Sequence, residues 1–228
     1  MKLFLDTANI EEIREISAWG VLGGITTNPS LIYKETPKDW IAHAKEICSI
    51  VDGPVSLETT KVKTKDLIKE GHDLAEVAPN VVVKIVMTPE GLGAAKALSE
   101  EGIKVNVTLV FSPSQAILAA EAGAYIVSPF LGRVDDISSD GISVLADICA
   151  IYDAQAYQTL VLAASLRHPM HVVDAARLGA EIASMPCKVF RQLVDHPLTA
   201  SGIESFNSDW KALQKTMNKE TVKKGKGR

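Results

Sequence analysis

One lysine, Lys84, interrupts an otherwise apolar and largely β-branched run, Val81-Val82-Val83-Lys84-Ile85-Val86-Met87. Such a run reads as a strand covered on both faces, where an ammonium group would lose most of its hydration. Burial of that kind favours a neutral amine, and a neutral amine can attack a carbonyl carbon. The competing reading is a strand-end or snorkelling lysine held by a carboxylate. What converges on the lysine decides between them.

Other residues with chemical capacity fall at the ends of apolar runs: Asp6, Thr26 with Asn28, Glu58, Asn106 with Thr108, Ser128 with Phe130, and Ser165 with Arg167. Period-two alternation puts Val82, Lys84 and Val86 on one face of their strand, and Asn106, Thr108 and Val110 on one face of theirs. Two polar side chains on a buried face need partners, so Asn106 and Thr108 are either a satisfied structural network or part of a site. Asp6 and Glu58 could divide acid and base roles around one lysine, or one of them could simply neutralise it. Arg133, Ser165 and Arg167 together suit a phosphate dianion. His168 and His171 have no third ligand at metal-binding spacing. Cys187 reads as packing rather than as a nucleophile.

The elements that must position these residues alternate regularly. Strands are expected at 2–6, 23–27, 54–59, 81–87, 104–110, 124–130, 158–165 and 181–185. Helical spacing or capping signals stand between them, such as Thr88-Pro89 and Ser112-Pro113-Ser114-Gln115. A loop is expected over 132–140. Eight strand-helix units predict a single (β/α)8 TIM barrel, an α/β fold that aims every strand's carboxyl end into one mouth. An open doubly wound sheet is the alternative, but neither GxGxxG nor GxxxxGK[ST] occurs. The barrel is assigned to residues 1–197 and a C-terminal helical extension to 198–217, with its helix at about 205–217. Residues 218–228 read as a basic, disordered tail. Trp210, Leu213 and Met217 share a stripe that would dock on the barrel or on a neighbouring subunit.

Composition narrows the function classes. The chain has 228 residues and a net charge of −4, but from Lys211 onward seven basic residues face one acid. The remainder, with seventeen basic and twenty-seven acidic residues, carries −10, which argues against a nucleic-acid-binding surface. Three cysteines, Cys48, Cys149 and Cys187, form no CxxC and read as free thiols of a reducing compartment. No signal-length or membrane-spanning apolar run is present, so a soluble cytoplasmic protein is expected.

Several segments resemble the small transaldolases and the related fructose-6-phosphate aldolases. They are Phe4-Leu5-Asp6-Thr7-Ala8, Gly24-Ile25-Thr26-Thr27-Asn28-Pro29-Ser30, Val55-Ser56-Leu57-Glu58 and Val83-Lys84-Ile85, followed by Val105 to Ser112, Ser128 to Arg133 and Ala164 to Arg167. The resemblance implies a Schiff base between Lys84 and a ketose phosphate, with Asp6 taking the C4-hydroxyl proton. It places Glu58 and Thr108 around a proton-shuttling water, and Asn28, Asn106 and Ser128 on the hydroxyls of a three-carbon unit. Thr26 and Phe130 complete the binding site, and Arg133, Ser165 and Arg167 hold the distal phosphate. It implies no metal or organic cofactor, sugar phosphates as partners, and a homo-oligomer, pentameric or decameric. Glu58 and Phe130 look like the transaldolase pattern, since the aldolase branch typically has glutamine and tyrosine there.

Overall fold

The computed structural model describes the backbone of residues 1–225 and the side chains of residues 1–217. Eight short strands rich in Val, Ile and Leu lie side by side in chain order. They are β1 (Lys2–Asp6), β2 (Leu22–Thr26), β3 (Val55–Glu58), β4 (Val81–Val86), β5 (Val105–Val110), β6 (Ile126–Pro129), β7 (Leu160–Ala163) and β8 (Ile182–Met185). Every neighbouring pair is parallel and β8 returns to β1, which closes the (β/α)8 barrel. Closure covers both edges, and the surrounding helices cover the outer face, so β4 can be apolar on both sides.

The helices start where local chemistry supplies a cap. α1 (Ile10–Ser17) and α2 (Pro29–Glu35) are capped by Asn9 and Asn28, and α3 (Trp40–Ile50) by Asp39. α4 (Thr64–Ala75) begins without a side-chain cap. Thr88 and Ser112 cap α5 (Pro89–Glu100) and α6 (Pro113–Glu121), each followed by proline in the first turn. A short helix, α7 (Leu131–Asp135), stands within the segment expected to be a loop, and α8 (Gly141–Gln155) follows. α9 (Pro169–Arg177) is capped by His168, and α10 (Cys187–Gln192) was not foreseen. Both short helices contain glycine or cysteine where periodicity is too brief to read, and the tertiary burial of Leu131, Val134, Val189 and Phe190 supports them.

The barrel interior is filled from below by Phe4, Val82, Ile126, Leu162 and Ile182, with Ala164 beyond β7 packed in the same cluster. Gly24 makes room for this plug: a Cβ there would stand 2.4 Å from the Phe4 ring. Polar residues on the same inward faces occupy the next layer up, nearer the carboxyl ends, so the plug forms the floor beneath them.

The alternation expected through Val110 stops earlier. Leu109 adopts φ 57, and the β5–β6 register shifts between Val107 and Val110. This bulge after Thr108 bends the strand end beside the mouth, and periodicity cannot foresee it.

The compact barrel unit ends at Phe190, and residues from Arg191 form a second unit. There α11 (Pro197–Gly225) starts earlier than the expected 205, because Pro197 suits a first helical turn. Its backbone enters the basic segment 218–228 expected to be disordered, of which residues 226–228 lie outside the described residues. Phe206, Trp210 and Leu213 on this helix are exposed. Cys48 and Cys187 are buried and Cys149 is half-buried, all as free thiols. Among the described residues no helix is long and apolar enough to cross a membrane.

Candidate active site

The register of the parallel strands builds the centre. Glu58 of β3 stands opposite Lys84 of β4, which stands opposite Asn106 of β5. Paired residues of neighbouring strands point to the same face, so these three side chains share one inward layer. Lys84 is 3% exposed. Its Nζ lies 3.0 Å from Glu58 Oε2 and donates a 2.9 Å hydrogen bond to the carbonyl oxygen of Thr27. The structural and chemical readings of the lysine therefore meet on one atom: it is buried and it is paired.

Asp6 enters from β1. Its Oδ1 accepts a 2.7 Å hydrogen bond from Thr26 Oγ1, and that oxygen is 2.6 Å from Ser184 Oγ. Since the Thr26 proton goes to Asp6, Ser184 supplies the proton of the second contact. Burial pushes the Asp6 carboxyl above the usual carboxylate range, opposed by the Thr26 hydroxyl and then by the cations of Lys84, Lys34 and Arg133. A carboxylate of raised proton affinity is suited to act as a general base.

On β5 and β6 a polar chain is nearly complete. Asn106 donates from Nδ2 to Ser56 Oγ at 3.1 Å and accepts at Oδ1 from Ser128 Oγ at 2.7 Å. Thr108 breaks the pattern. It is fully buried, and among the described residues its Oγ1 is the buried side-chain polar atom that has no hydrogen-bond partner. Such an atom is costly unless a ligand or a water meets it.

The far side of the mouth belongs to β6 and β7. Phe130 follows β6, with the Arg133 guanidinium 5.1 Å from its ring centre and Phe111 in edge contact at 5.9 Å. Arg167 is exposed and its Nη2 donates to Asp136 Oδ2 at 2.8 Å. Ser165, just beyond β7, holds the left-handed φ of 60. Its carbonyl receives the Gly132 N–H at 3.2 Å.

A cavity of about 360 Å³ joins these parts. Asp6, Thr26, Asn28, Lys84, Ser128, Phe130, Arg133, Ser165 and Arg167 line it. Three further candidates connect from behind: Glu58 through the ion pair, Asn106 through Ser128, and Thr108 as a strand neighbour of Asn106. Asn28 also caps α2, its Oδ1 accepting from the Leu31 N–H at 3.0 Å. Sequence reasoning missed Ser184, Ser56, the Thr27 carbonyl and Lys34. Ser56 and Ser184 follow from the inward parity of β3 and β8 once a barrel is assumed, whereas a backbone carbonyl leaves no signal in residue type. Among the described residues no group of three His, Cys, Asp or Glu side chains could hold a metal ion.

The chain shares 53% identity over 215 residues with a probable transaldolase of Brevibacillus brevis, covering 94% of this chain and 100% of the relative. It is 55% identical to a probable transaldolase of Kosmotoga olearia, covering 94% and 98%. A solved thiamine phosphate pyrophosphorylase from Pyrococcus furiosus shares the fold alone, with TM-score 0.55 and 16% identity over 81% of this chain and 85% of that one. The profile described as Transaldolase/Fructose-6-phosphate aldolase matches residues 3–225. With that match over nearly the whole chain, the protein belongs to the transaldolase/fructose-6-phosphate aldolase family of enzymes.

Proposed function

We propose that the protein moves a dihydroxyacetone unit from a ketose phosphate, sedoheptulose 7-phosphate or fructose 6-phosphate, to an aldose phosphate through a Schiff base on Lys84. The acceptor is glyceraldehyde 3-phosphate or erythrose 4-phosphate, which places the reaction in the non-oxidative pentose phosphate pathway. The observation that carries the reading is the position of Lys84 Nζ, in a cavity lined also by Asp6 and 3.0 Å from Glu58.

Lys84, as the free amine, adds to the substrate ketone carbon. Loss of the carbonyl oxygen as water leaves an iminium that draws electrons from the neighbouring bond. Glu58 accepts the ammonium proton and returns protons to the departing water, with the Thr108 hydroxyl as a fixed partner for that water. Asp6 takes the C4-hydroxyl proton, the C3–C4 bond breaks, and the aldose leaves. The bond electrons stay on the three-carbon unit as an enamine. When an acceptor aldehyde arrives, C3 of the enamine attacks its carbonyl carbon and Asp6 returns the proton to the new alkoxide. Hydrolysis of the imine frees the product. Asn28, Asn106 and Ser128 orient the hydroxyls, and Arg133, Ser165 and Arg167 hold the phosphate.

The alternative within the family is release of free dihydroxyacetone. It requires protonation of the enamine carbon, and the apolar Phe130 ring beside the cavity favours waiting for an acceptor instead. Borohydride reduction during reaction with fructose 6-phosphate should attach a three-carbon adduct to Lys84. Turnover that depends on erythrose 4-phosphate supports transfer, and rapid dihydroxyacetone production without any acceptor overturns it. We take the protein to be cytoplasmic and homo-oligomeric; the exposed Phe206, Trp210 and Leu213 of α11 support the second part of that reading. Light scattering that returns a monomer at micromolar concentration would remove that part of the reading.

A further inference from the structure

His171 stands outside the reacting centre yet touches both segments that carry the arginines. It is 7% exposed. The main-chain N–H of Arg167 donates to its Nδ1 at 3.3 Å, and its Nε2 lies 3.3 Å from Asp135 Oδ2. An imidazole that accepts at Nδ1 carries its proton on Nε2, the nitrogen that faces the Asp135 carboxylate. Asp135 closes α7, two residues beyond Arg133, and its Oδ1 accepts the Gly141 N–H at 2.9 Å. The carboxylate is thus tied to the start of α8 as well. The His168 ring lies against the His171 ring, tilted by 43° with centroids 3.8 Å apart.

The two segments already lie against each other. The Leu131 and Gly132 N–H groups donate to the Ala164 and Ser165 carbonyls at 3.0 and 3.2 Å. A Cβ on Gly132 would stand 2.3 Å from the Ser165 oxygen and 2.4 Å from Arg167 Nε. Arg133 and Arg167 are themselves exposed at the mouth.

We propose that His171 is a positioning residue for the phosphate end of the substrate, its ring tying the Arg167 backbone to the helix that carries Arg133. This rests on the reading of Arg133 and Arg167 as phosphate ligands. The tie works through two atoms of one rigid ring, so the spacing of the two backbone segments is set by the imidazole rather than by the flexible arginine side chains. His171 does not touch the cavity's reacting atoms. Its loss should therefore weaken recognition of the phosphorylated substrate and leave imine formation with an unphosphorylated three-carbon ketone intact.

The test compares His171→Leu with His171→Asn, which keeps an acceptor near the Arg167 N–H. For His171→Leu the KM for fructose 6-phosphate should rise about tenfold, the effect of one lost positioning hydrogen bond, with kcat within about twofold. Borohydride trapping of dihydroxyacetone on Lys84 should proceed at the wild-type rate, and His171→Asn should recover most of the KM. An unchanged KM in His171→Leu overturns the proposal. So does a parallel loss of dihydroxyacetone trapping, which would mark a general structural role. If His171→Leu does not fold, Asp135→Asn weakens the tie from its other side and should raise the KM about threefold; a wild-type KM there overturns the proposal equally. Absence of any Lys84 adduct in the wild-type protein would sink the Schiff-base reading and this inference with it, whereas an adduct with unchanged KM removes this inference alone.

Discussion

The two sides of the barrel mouth are built differently. On one side, Glu58, Lys84 and Asn106 occupy adjacent strands in register, largely buried; Lys84 pairs with Glu58 at 3.0 Å, and Asn106 bonds Ser56 at 3.1 Å and Ser128 at 2.7 Å. On the other, Arg133 and Arg167 are exposed, one on a five-residue helix and one beyond β7, and the Arg167 guanidinium is held by the surface carboxylate of Asp136. Covalent chemistry needs a nucleophile placed within fractions of an ångström, and a hydrogen-bonded strand layer provides that. Capture of a charged group tolerates looser placement, because a phosphate dianion attracts guanidinium groups over a distance.

The contrast can be broken at several points. The largest effect is expected at Lys84→Met, where no adduct should be trapped and turnover should fall by roughly 10⁴ or more. A labelled protein after that substitution would dissolve the assignment of the strand side as the covalent side. Asp6→Asn should reduce kcat by about 10²- to 10⁴-fold, the range for loss of a general base, with KM little changed.

Asp6→Asn also sharpens the comparison through stability. Burial raises the folded-state proton affinity of Asp6 above its ordinary value of 3.8. Folding then binds that proton more tightly than the unfolded chain does. The associated stability is complete below the unfolded value and is lost as pH rises through the raised folded one. Above the unfolded value the buried carboxyl is a growing burden that asparagine lacks. The variant's Tm should exceed the wild type's at pH 7, by about 2–4 °C for each kcal/mol gained. The two should converge in acid. A Tm lowered at pH 7 would mean that Asp6 serves the fold rather than the reaction.

On the opposite side, Arg167→Ala should raise the KM for fructose 6-phosphate by roughly 10- to 100-fold, the worth of a charge-assisted hydrogen bond, and leave kcat nearly constant. If kcat fell as much as KM rose, the division between a chemical and a recognising side would not hold. The smallest change is expected at Thr108→Val. It removes a buried hydroxyl that has no hydrogen-bond partner among the described residues, so stability should rise by up to about 1 kcal/mol while activity drops about tenfold. Thermal melting and steady-state rates read both effects in one preparation.

Much of the strand side is legible in the sequence because its signals are local. A lysine in a β-branched run, alternation around Asn106, and the prolines after the capping Asn28, Thr88 and Ser112 fix strand, face and helix start over a few residues. The arginine side is less legible. Helix α7 has only five residues, the Leu109 bulge and the Ser165 left-handed turn have no glycine to announce them, and His171 contacts Asp135, a residue brought near by the fold. The Thr27 carbonyl on Lys84 has no side-chain signature at all.

By itself, then, the sequence determines eight strand-helix units, the inward faces on which Asp6, Lys84 and Asn106 lie, and the family motifs, since each depends on spacing along the chain. Only the tertiary structure decides that Glu58 pairs with Lys84, that Ser184 completes the Asp6 contacts through Thr26, and that His171 spans two arginine-bearing segments. Those contacts join residues of different strands and helices. Barrel closure and register set their distances, and neither quantity is carried by any short stretch of residues.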